Sequence, residues 1–268
     1  MSFGISLSVT NGSVRRGRGG GVPWSPADLP GVIAIYDPSD LSTLYQNAAG
    51  TIPVTAANQP VGRMLDKSSL GYHMAQSVAA GRPTYQTDGT KHWLSFDGVD
   101  DSVYFASFNL SNVSYPSLFL GVRKTGTVLG TAVYVGRNSS TSGVISINAP
   151  DSTATSYSGK ALNASGIGAT LTADDPAYEP PHRAVISGIF GASSTYLRVN
   201  GIVEDTNVGM SGSPFTSTYL TIGARNSGGT LVDYSAMEFY GLVIMAREAT
   251  PAEVTQIENW LNGRIGAY

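Results

Sequence analysis

The sequence predicts an all-β protein, a two-sheet antiparallel jelly-roll sandwich with one short C-terminal α-helix. Short runs rich in Val, Ile, Phe and Tyr recur along the chain between Gly, Asn, Ser and Pro, a pattern typical of a sandwich or barrel. Gly and Pro make up 46 of the 268 residues, above the usual share of about 12%, so turns are frequent. A clear helical pattern with caps appears only near the end of the chain.

The composition excludes several classes of protein. Charged residues are 13% of the chain, about half the usual share of roughly 25%. The absence of cysteine excludes disulfide frameworks, thiolate metal sites and cysteine nucleophiles. No apolar run approaches the ~20 residues that span a bilayer, so no membrane insertion is expected. Residues 1–21 contain no continuous apolar segment, so no secretory signal peptide is expected either.

Residues 1–23 are predicted to form an extended attachment arm. Residues 3–9 alternate apolar and small side chains as a half-buried strand does, and residues 15–21 form a Gly-rich tether. Such an arm packs on its own domain or on a neighbouring protein, by adding a strand or lying on a surface. The residues expected to carry the attachment are Phe3, Ile5, Leu7, Val9, Arg15, Arg16 and Arg18.

The formal charge is distributed unevenly. Three arginines and no acidic residue give the first 27 residues a charge of +3, so residues 28–268 carry −6 within the total of −3. Nucleic-acid binding requires clustered cations on a folded face. A net acidic body therefore argues against nucleic acid as a partner.

Residues 24–268 are predicted to form one domain. Pro and Asp indicate tight or helical turns on both sides of the apolar run 32–36, which suits a buried strand. The Asn200-Gly201 pair joins two apolar runs and is the strongest hairpin signal, because both residues tolerate positive φ. Residues 151–181 predict a long loop or a weak strand pair. The main strand signals are residues 94–105, 116–124, 131–137, 143–148, 183–190, 195–205, 219–225 and 239–247.

The C-terminal helix has recognisable boundaries. Thr250 is the predicted N-cap, Pro251 the first helical residue, and Glu253 completes a capping box. Gly263 is predicted to end the helix. The apolar face that should pack on the sandwich consists of Val254, Ile257, Trp260 and Leu261.

Several segments, in their order along the chain, resemble a known family. They include WSPADLPGVIAIYDPSDLSTLY, DKSSLGYHMAQ, RPTYQTDG, LSFDGVDDSVYF, LRVNGIVE, YLTIGAR and FYGLVIMAREATPAEVTQIENWLNGRIG. Over roughly residues 24–266 the chain resembles the concanavalin A-like, LamG-type jelly-roll domains, which are common in bacteriophage tail and virion proteins and in bacterial surface proteins. The turn at residues 66–71 reads DKSSLG, where the family has a DKSGNG-like turn, so the chemistry of this loop differs.

Catalysis is not expected. The resemblance implies that glycan-cutting relatives carry an E-x-D-x-x-E strand with two facing carboxylates, and this chain lacks that pattern. Glu204 is followed directly by Asp205, which places the two on opposite faces of a strand. His73, His92 and His182 have no G-x-S-x-G motif nearby, so each is interpreted as a structural or solvated histidine.

The carboxylates of Asp97, Asp100 and Asp101 in the FDGVDD turn have two interpretations. Clustered carboxylates beside a glycine suit Ca²⁺, which takes six to eight oxygen ligands. The favoured interpretation follows the resemblance, in which this motif is similar to a strand-edge turn whose aspartates accept backbone amides, with Asp97 as the inward hydrogen-bonding residue. No other cofactor is indicated.

Glycan binding would use exposed aromatic rings, because the CH faces of sugars pack on them while polar side chains bind the hydroxyls. For each tyrosine the alternative is an ordinary half-buried strand or loop residue. The candidates on predicted loops or strand ends are Tyr134, Tyr157, Tyr178 and Tyr219.

Together these observations predict a non-enzymatic structural protein of a phage virion, assembled in the bacterial cytoplasm. The arm would bind other virion proteins, and the sandwich would be a head or tail decoration that contacts host-surface glycans weakly. A homo-oligomer is a further possibility. The alternatives are a carbohydrate-binding receptor module of a tail fibre and, less favoured, a polysaccharide depolymerase.

Overall fold

Nineteen β-strands and one α-helix form the part of the chain that our computed structural model describes, residues 24–136, 142–215 and 218–268. Short 3-10 turns occur at Pro26–Asp28, Leu41–Thr43 and Pro176–Tyr178. The strands are β1 Val32–Tyr36, β2 Leu44–Tyr45, β3 Arg63–Met64, β4 Met74–Ala75, β5 Thr84–Thr87, β6 His92–Asp97, β7 Val103–Phe108, β8 Ser117–Lys124, β9 Thr131–Gly136, β10 Val144–Asn148, β11 Ser156–Leu162, β12 Gly168–Asp174, β13 His182–Phe190, β14 Ser194–Val199, β15 Ile202–Val208, β16 Thr218–Ile222, β17 Arg225–Ser227, β18 Thr230–Val232 and β19 Ala236–Met245; the helix is α1 Pro251–Ile265.

The strands form two large antiparallel sheets. The first sheet has the order β15-β14-β13-β8-β19-β6-β5, with β1 also paired to β19. The second sheet has the order β12-β11-β10-β9-β16-β7-β4-β3-β2, and β17 and β18 form a separate two-stranded hairpin. Neighbours in both sheets are distant in sequence, as in β9 beside β16. The architecture is the predicted jelly-roll sandwich.

A central strand of the first sheet is buried on both faces. Along β8, Leu118 and Leu120 point into the core between the sheets, whereas Phe119 points to the opposite face and packs with Ile257 and Leu261 of α1. Burial on both sides explains why β8 is a continuous apolar run rather than an alternating one. The helix therefore adds a third layer outside the first sheet.

The helix begins as predicted and ends later than predicted. Thr250 accepts the Glu253 amide and Glu253 accepts the Thr250 amide, completing the capping box. The helix continues through Gly263, and Gly266, with φ of +65°, is the residue that ends it. Trp260 is half-buried beneath the Arg264 guanidinium, 3.5 Å from the ring centre. Within the described ranges, this 15-residue helix is not long and apolar enough to cross a bilayer.

The local predictions have three outcomes. Asn200 and Gly201 both have positive φ, at +52° and +81°, and join β14 to β15 as the hairpin pattern requires. Residues 151–181 contain the regular strand pair β11–β12 rather than a long loop, with seven aligned residue pairs. The predicted arm, residues 1–23, lies outside the described residues.

Candidate functional site

Two neighbouring strands place tyrosines on the outer face of the second sheet. Along β7, Val103 points into the core, so the next residue, Tyr104, points outward. On β16, Leu220 points into the core and Tyr219 points outward. Because β7 and β16 are paired, the two rings lie side by side with centroids 6.2 Å apart and planes tilted by 46°.

The β17–β18 hairpin forms one wall beside these rings. Gly228 and Gly229 connect its strands with φ of +70° and +96°, the positive values that a tight hairpin turn requires. Asn226 is buried, and its side-chain oxygen accepts the Gly229 amide at 2.9 Å, which holds the turn in place. Tyr234, shortly after the hairpin, adds a third ring to this wall.

The opposite wall is polar and tied to the sheet. The buried Gln76 side chain donates to the backbone oxygen and the hydroxyl of Ser102, both at 3.0 Å, and accepts the Val78 amide. Asp100 lies at the rim and is exposed. The walls enclose a pocket of about 450 Å³, large enough for a sugar unit. It is lined by Gln76, Ser77, Val78, Gly81, Asp100, Ser102, Tyr104, Ala106, Tyr219, Asn226, Gly229, Leu231 and Tyr234. We call it the tyrosine pocket.

The aspartate turn adjoins this pocket. The Asp97 carboxylate accepts the amides of Val99 and Asp100, as a strand-edge turn requires. The inward residue, however, is Asp101 and not Asp97, because Asp101 is buried and accepts the Asp97 amide at 3.0 Å, whereas Asp97 is exposed. Oxygen atoms of the three carboxylates lie within 4.8 Å of one another. This arrangement offers oxygen ligands to a cation, but hydrogen bonds within the turn already account for the placement of Asp97 and Asp101.

Asp101 titrates at an unusual pH. Burial raises the pKa of its carboxyl group to about 6, the charges of Asp97 and Asp100 act in the same direction, and the hydrogen bond from the Asp97 amide opposes them. The folded protein therefore binds this proton more tightly than the unfolded chain. The contribution of Asp101 to stability is favourable at low pH and is lost as the pH rises from about 4 to about 6.

We expect Asp101→Asn to remove this pH dependence. An asparagine keeps an oxygen acceptor for the Asp97 amide but carries no charge. In urea unfolding between pH 4 and pH 7, the variant should gain stability relative to the natural protein as pH rises, by about 1 kcal/mol, because the natural protein loses the contribution of the Asp101 proton over this range and the variant does not. A constant difference across this range would show that Asp101 has an ordinary pKa.

The structure separates the four tyrosines proposed from the sequence. Tyr219 lines the tyrosine pocket. Tyr178 is half-buried and donates to Glu204 at 2.8 Å. Tyr134 and Tyr157 are almost fully buried, so neither offers a free ring face to a sugar; Tyr157 belongs to the core between the sheets. Burial of this kind depends on tertiary neighbours.

A buried lysine lies beside Tyr157. The Lys124 ammonium, on β8, donates to the backbone oxygens of Ala154 and Ser156 at 2.6 and 3.1 Å and lies 4.0 Å from the centre of the Tyr157 ring. These contacts join the first sheet to the start of β11 in the second. Burial lowers the pKa of Lys124 to about 8.

The three histidines have structural partners. The His73 ring accepts the Asp66 amide through Nδ1 at 3.1 Å. His92 and His182 bond to the hydroxyls of Tyr85 and Tyr157 through Nδ1, at 2.6 and 2.7 Å. Burial lowers the pKa of His182, and the Lys124 charge lowers it further. None of the three lines the tyrosine pocket.

Sequence reasoning missed most of the tyrosine pocket. One usable signal was the Gly228-Gly229 pair between two short strand-like runs, because this pair predicts a tight hairpin turn. Asn226, on the first strand of that hairpin, forms part of the pocket wall. Gln76 carried no signal, because its role depends on Ser102, 26 residues away. Tyr104 and Tyr219 meet only through the pairing of β7 with β16. The predicted attachment residues between Phe3 and Arg18 lie outside the described residues.

No family model and no curated protein sequence matches the chain. Solved structures share its fold. The binding domain of botulinum neurotoxin serotype G is 11% identical with a TM-score of 0.56, over 77% of this chain and 50% of that one. The binding domain of botulinum neurotoxin DC, solved in complex with SialylT, is 14% identical with a TM-score of 0.56, over 88% of this chain and 52% of that one. This chain thus spans about half the length of either toxin structure.

A weaker similarity links the chain to a carbohydrate-binding module. The CBM40 of the Ruminococcus gnavus IT-sialidase, bound to α2,3-sialyllactose, is 11% identical with a TM-score of 0.48, over 62% of this chain and 95% of that one. That score is too low to support a conclusion. At identities of 11 to 14%, the toxin similarities show a common lectin-like sandwich fold and nothing about the site.

Proposed function

We propose that this protein is a non-enzymatic carbohydrate-binding domain and that the tyrosine pocket is its glycan site. The observation that carries this proposal is the convergence of three tyrosine rings with amide, hydroxyl and carboxylate side chains in one pocket of about 450 Å³. The CH faces of a sugar pack on aromatic rings, and its hydroxyls exchange hydrogen bonds with such polar groups. The fold shared with toxin binding domains, one of them solved with SialylT, supports glycan binding by a sandwich of this kind, while the choice of sugar depends on the residues of this pocket.

The arrangement of carboxylates supports binding rather than hydrolysis. Glycoside hydrolysis requires two carboxyl groups flanking the scissile bond, about 5 to 10 Å apart. Here Asp97, Asp100 and Asp101 lie in one turn on one side, and only Asp100 lines the tyrosine pocket. A bound sugar would therefore contact one carboxylate. A polysaccharide depolymerase, the less favoured alternative, would release reducing ends from bound polysaccharide.

We expect Tyr219→Ala and Tyr104→Ala each to weaken glycan binding at least about tenfold. Each variant removes a ring on which a sugar would pack. Binding in the millimolar to micromolar range has a small free energy, so losing the contribution of one ring should weaken it clearly. A glycan array followed by calorimetry with the best neutral or acidic ligand measures the effect. Tyr268→Ala is the matched control, because that exposed ring lies at the C-terminus and does not line the tyrosine pocket. A blank array with the natural protein, or equal binding by all variants, would contradict the proposal.

A virion location stays a prediction from the sequence. In that proposal residues 1–23 attach the domain to other virion proteins and the sandwich displays the tyrosine pocket to host-surface glycans. The charge distribution favours this virion proposal, because an arm of charge +3 and a body of charge −6 are attracted to surfaces of opposite charge. The attachment residues lie outside the described part of the chain, and the assembly partners are untested.

A further inference from the structure

The charge of the tyrosine pocket bears on which sugars it accepts, an inference that rests on the proposed function. Among the described residues that line it, Asp100 is the one charged side chain, and the remaining polar groups are amides, hydroxyls and phenols. The carboxylates of Asp97 and Asp101 stand within 4.8 Å of the Asp100 carboxylate and reinforce its negative charge.

Two arginines adjoin pocket residues in the chain; Arg82 is held by backbone oxygens of the pocket wall itself, and Arg225 by an acidic side chain outside the lining. Arg82 donates to the backbone oxygens of Gln76 and Ser77, at 3.1 and 3.0 Å. Arg225 pairs with Asp233 at 2.7 Å, on the side of the hairpin away from the tyrosine pocket. Neither guanidinium belongs to the lining, so neither offers the bidentate contact that binds a carboxylate strongly.

The negative charge acts across the pocket. Burial raises the pKa of the Tyr234 phenol on the hairpin side, and the charge of Asp100 raises it further. The same charge would act on any anionic ligand between these two walls. A sugar carboxylate placed there would lose water, find no cation among the described lining residues and be repelled by Asp100.

We propose that the tyrosine pocket selects glycans with an uncharged terminal sugar and rejects those ending in a sialic or uronic acid. The aromatic rings supply contacts that every hexose can use. Asp100 supplies hydrogen-bond acceptors for hydroxyl groups and, at the same time, the repulsion that discriminates against acidic sugars.

The test compares matched glycans. Neutral oligosaccharides are arrayed beside their terminally sialylated and glucuronylated counterparts, and the best-binding neutral glycan and its acidic counterparts are measured by calorimetry at 50 and 150 mM salt. We expect the neutral form to bind at least tenfold more tightly, with the larger ratio at low salt, because salt screens the repulsion. Asp100→Asn should reduce the ratio of the affinity for the neutral glycan to the affinity for its acidic counterpart severalfold. Asp88→Asn removes the same charge in an exposed turn at the other end of β6 and should leave it unchanged.

The outcomes distinguish the two proposals. Equal or tighter binding of the acidic glycan, lost in Tyr219→Ala, would overturn the selectivity while supporting the glycan site. A ratio that stays the same in Asp100→Asn would assign the selectivity to another feature and overturn the role of Asp100. Failure of every glycan to bind would overturn the proposed function and the selectivity together.

Discussion

Replacing Gly223 with alanine is expected to lower the free energy of unfolding by about 2 to 5 kcal/mol. Gly223 follows β16 with φ of +92°, where an L-residue is strained by about 1 to 2 kcal/mol. A Cβ atom there would also lie 2.4 Å from Cδ1 of the core residue Phe96 and 2.9 Å from the backbone oxygen of Asp101. Overpacking of this kind costs typically about 1 to 3 kcal/mol. Denaturant unfolding followed by tryptophan fluorescence measures the loss.

Gly89→Ala is the matched control for Gly223. Gly89 has nearly the same φ, +90°, but no atom lies within 4 Å of the position of its missing Cβ. The control should therefore lose only the conformational part, about 1 to 2 kcal/mol. Equal losses in the two variants would show that the core relaxes around Phe96 without cost. A larger loss at Gly223 would show that β16, which carries Tyr219, is seated against the aspartate turn by steric fit.

Glu258→Ala is expected to lower the free energy of unfolding by about 2 to 4 kcal/mol. Glu258 lies on α1 with its side chain 4% exposed, and it accepts hydrogen bonds from Ser187 at 2.9 Å and from Arg198 at 2.8 and 3.2 Å. Removing the carboxylate leaves the Arg198 guanidinium, only 20% exposed, without its main partner. Breaking one member of a buried pair costs more than the pair contributes, and partial exposure of Arg198 moderates the loss.

A double-mutant cycle separates the ion pair from packing. Arg198→Met keeps much of the side-chain volume without the charge, so the double variant with Glu258→Ala should lose less stability than the sum of the two single variants. Glu258→Gln retains an oxygen acceptor for Ser187 and should fall between the natural protein and Glu258→Ala. If the losses in free energy of unfolding are additive, or if Glu258→Ala loses less than about 0.5 kcal/mol, then apolar packing and not the ion pair holds α1 against the first sheet.

The elements predicted well from the sequence are those that depend on local chemistry. The Asn200-Gly201 hairpin follows from the positive φ that these residues tolerate, and the start of α1 follows from the reciprocal bonds of Thr250 and Glu253. The sequence predicts the end of α1 at Gly263, one turn before its observed end. Gly263 looked like a terminator, but Ile265 packs against the first sheet and extends the helix to Gly266.

Residues 151–181 show why some strands escaped prediction. Their Ser, Ala, Gly and Thr residues have little apolar pattern, so the sequence indicated a loop or a weak strand pair. In the structure, β11 pairs on both sides, with β10 and β12, and backbone hydrogen bonds to two neighbours stabilise a segment of low intrinsic preference.

The sequence by itself determined the all-β class, the order of the main strands, the capped start of the helix and the presence of a turn at FDGVDD, because each depends on residues within a few positions of one another. Only the tertiary structure decided which tyrosines are buried and which face solvent. It alone brought Gln76, Asp100, Tyr104, Tyr219 and Asn226 around one pocket. The physical reason is that β4, β7 and β16 meet through pairing between residues as far apart in the chain as Val103 and Ile222, and a short stretch of sequence does not indicate which distant segment will lie beside it.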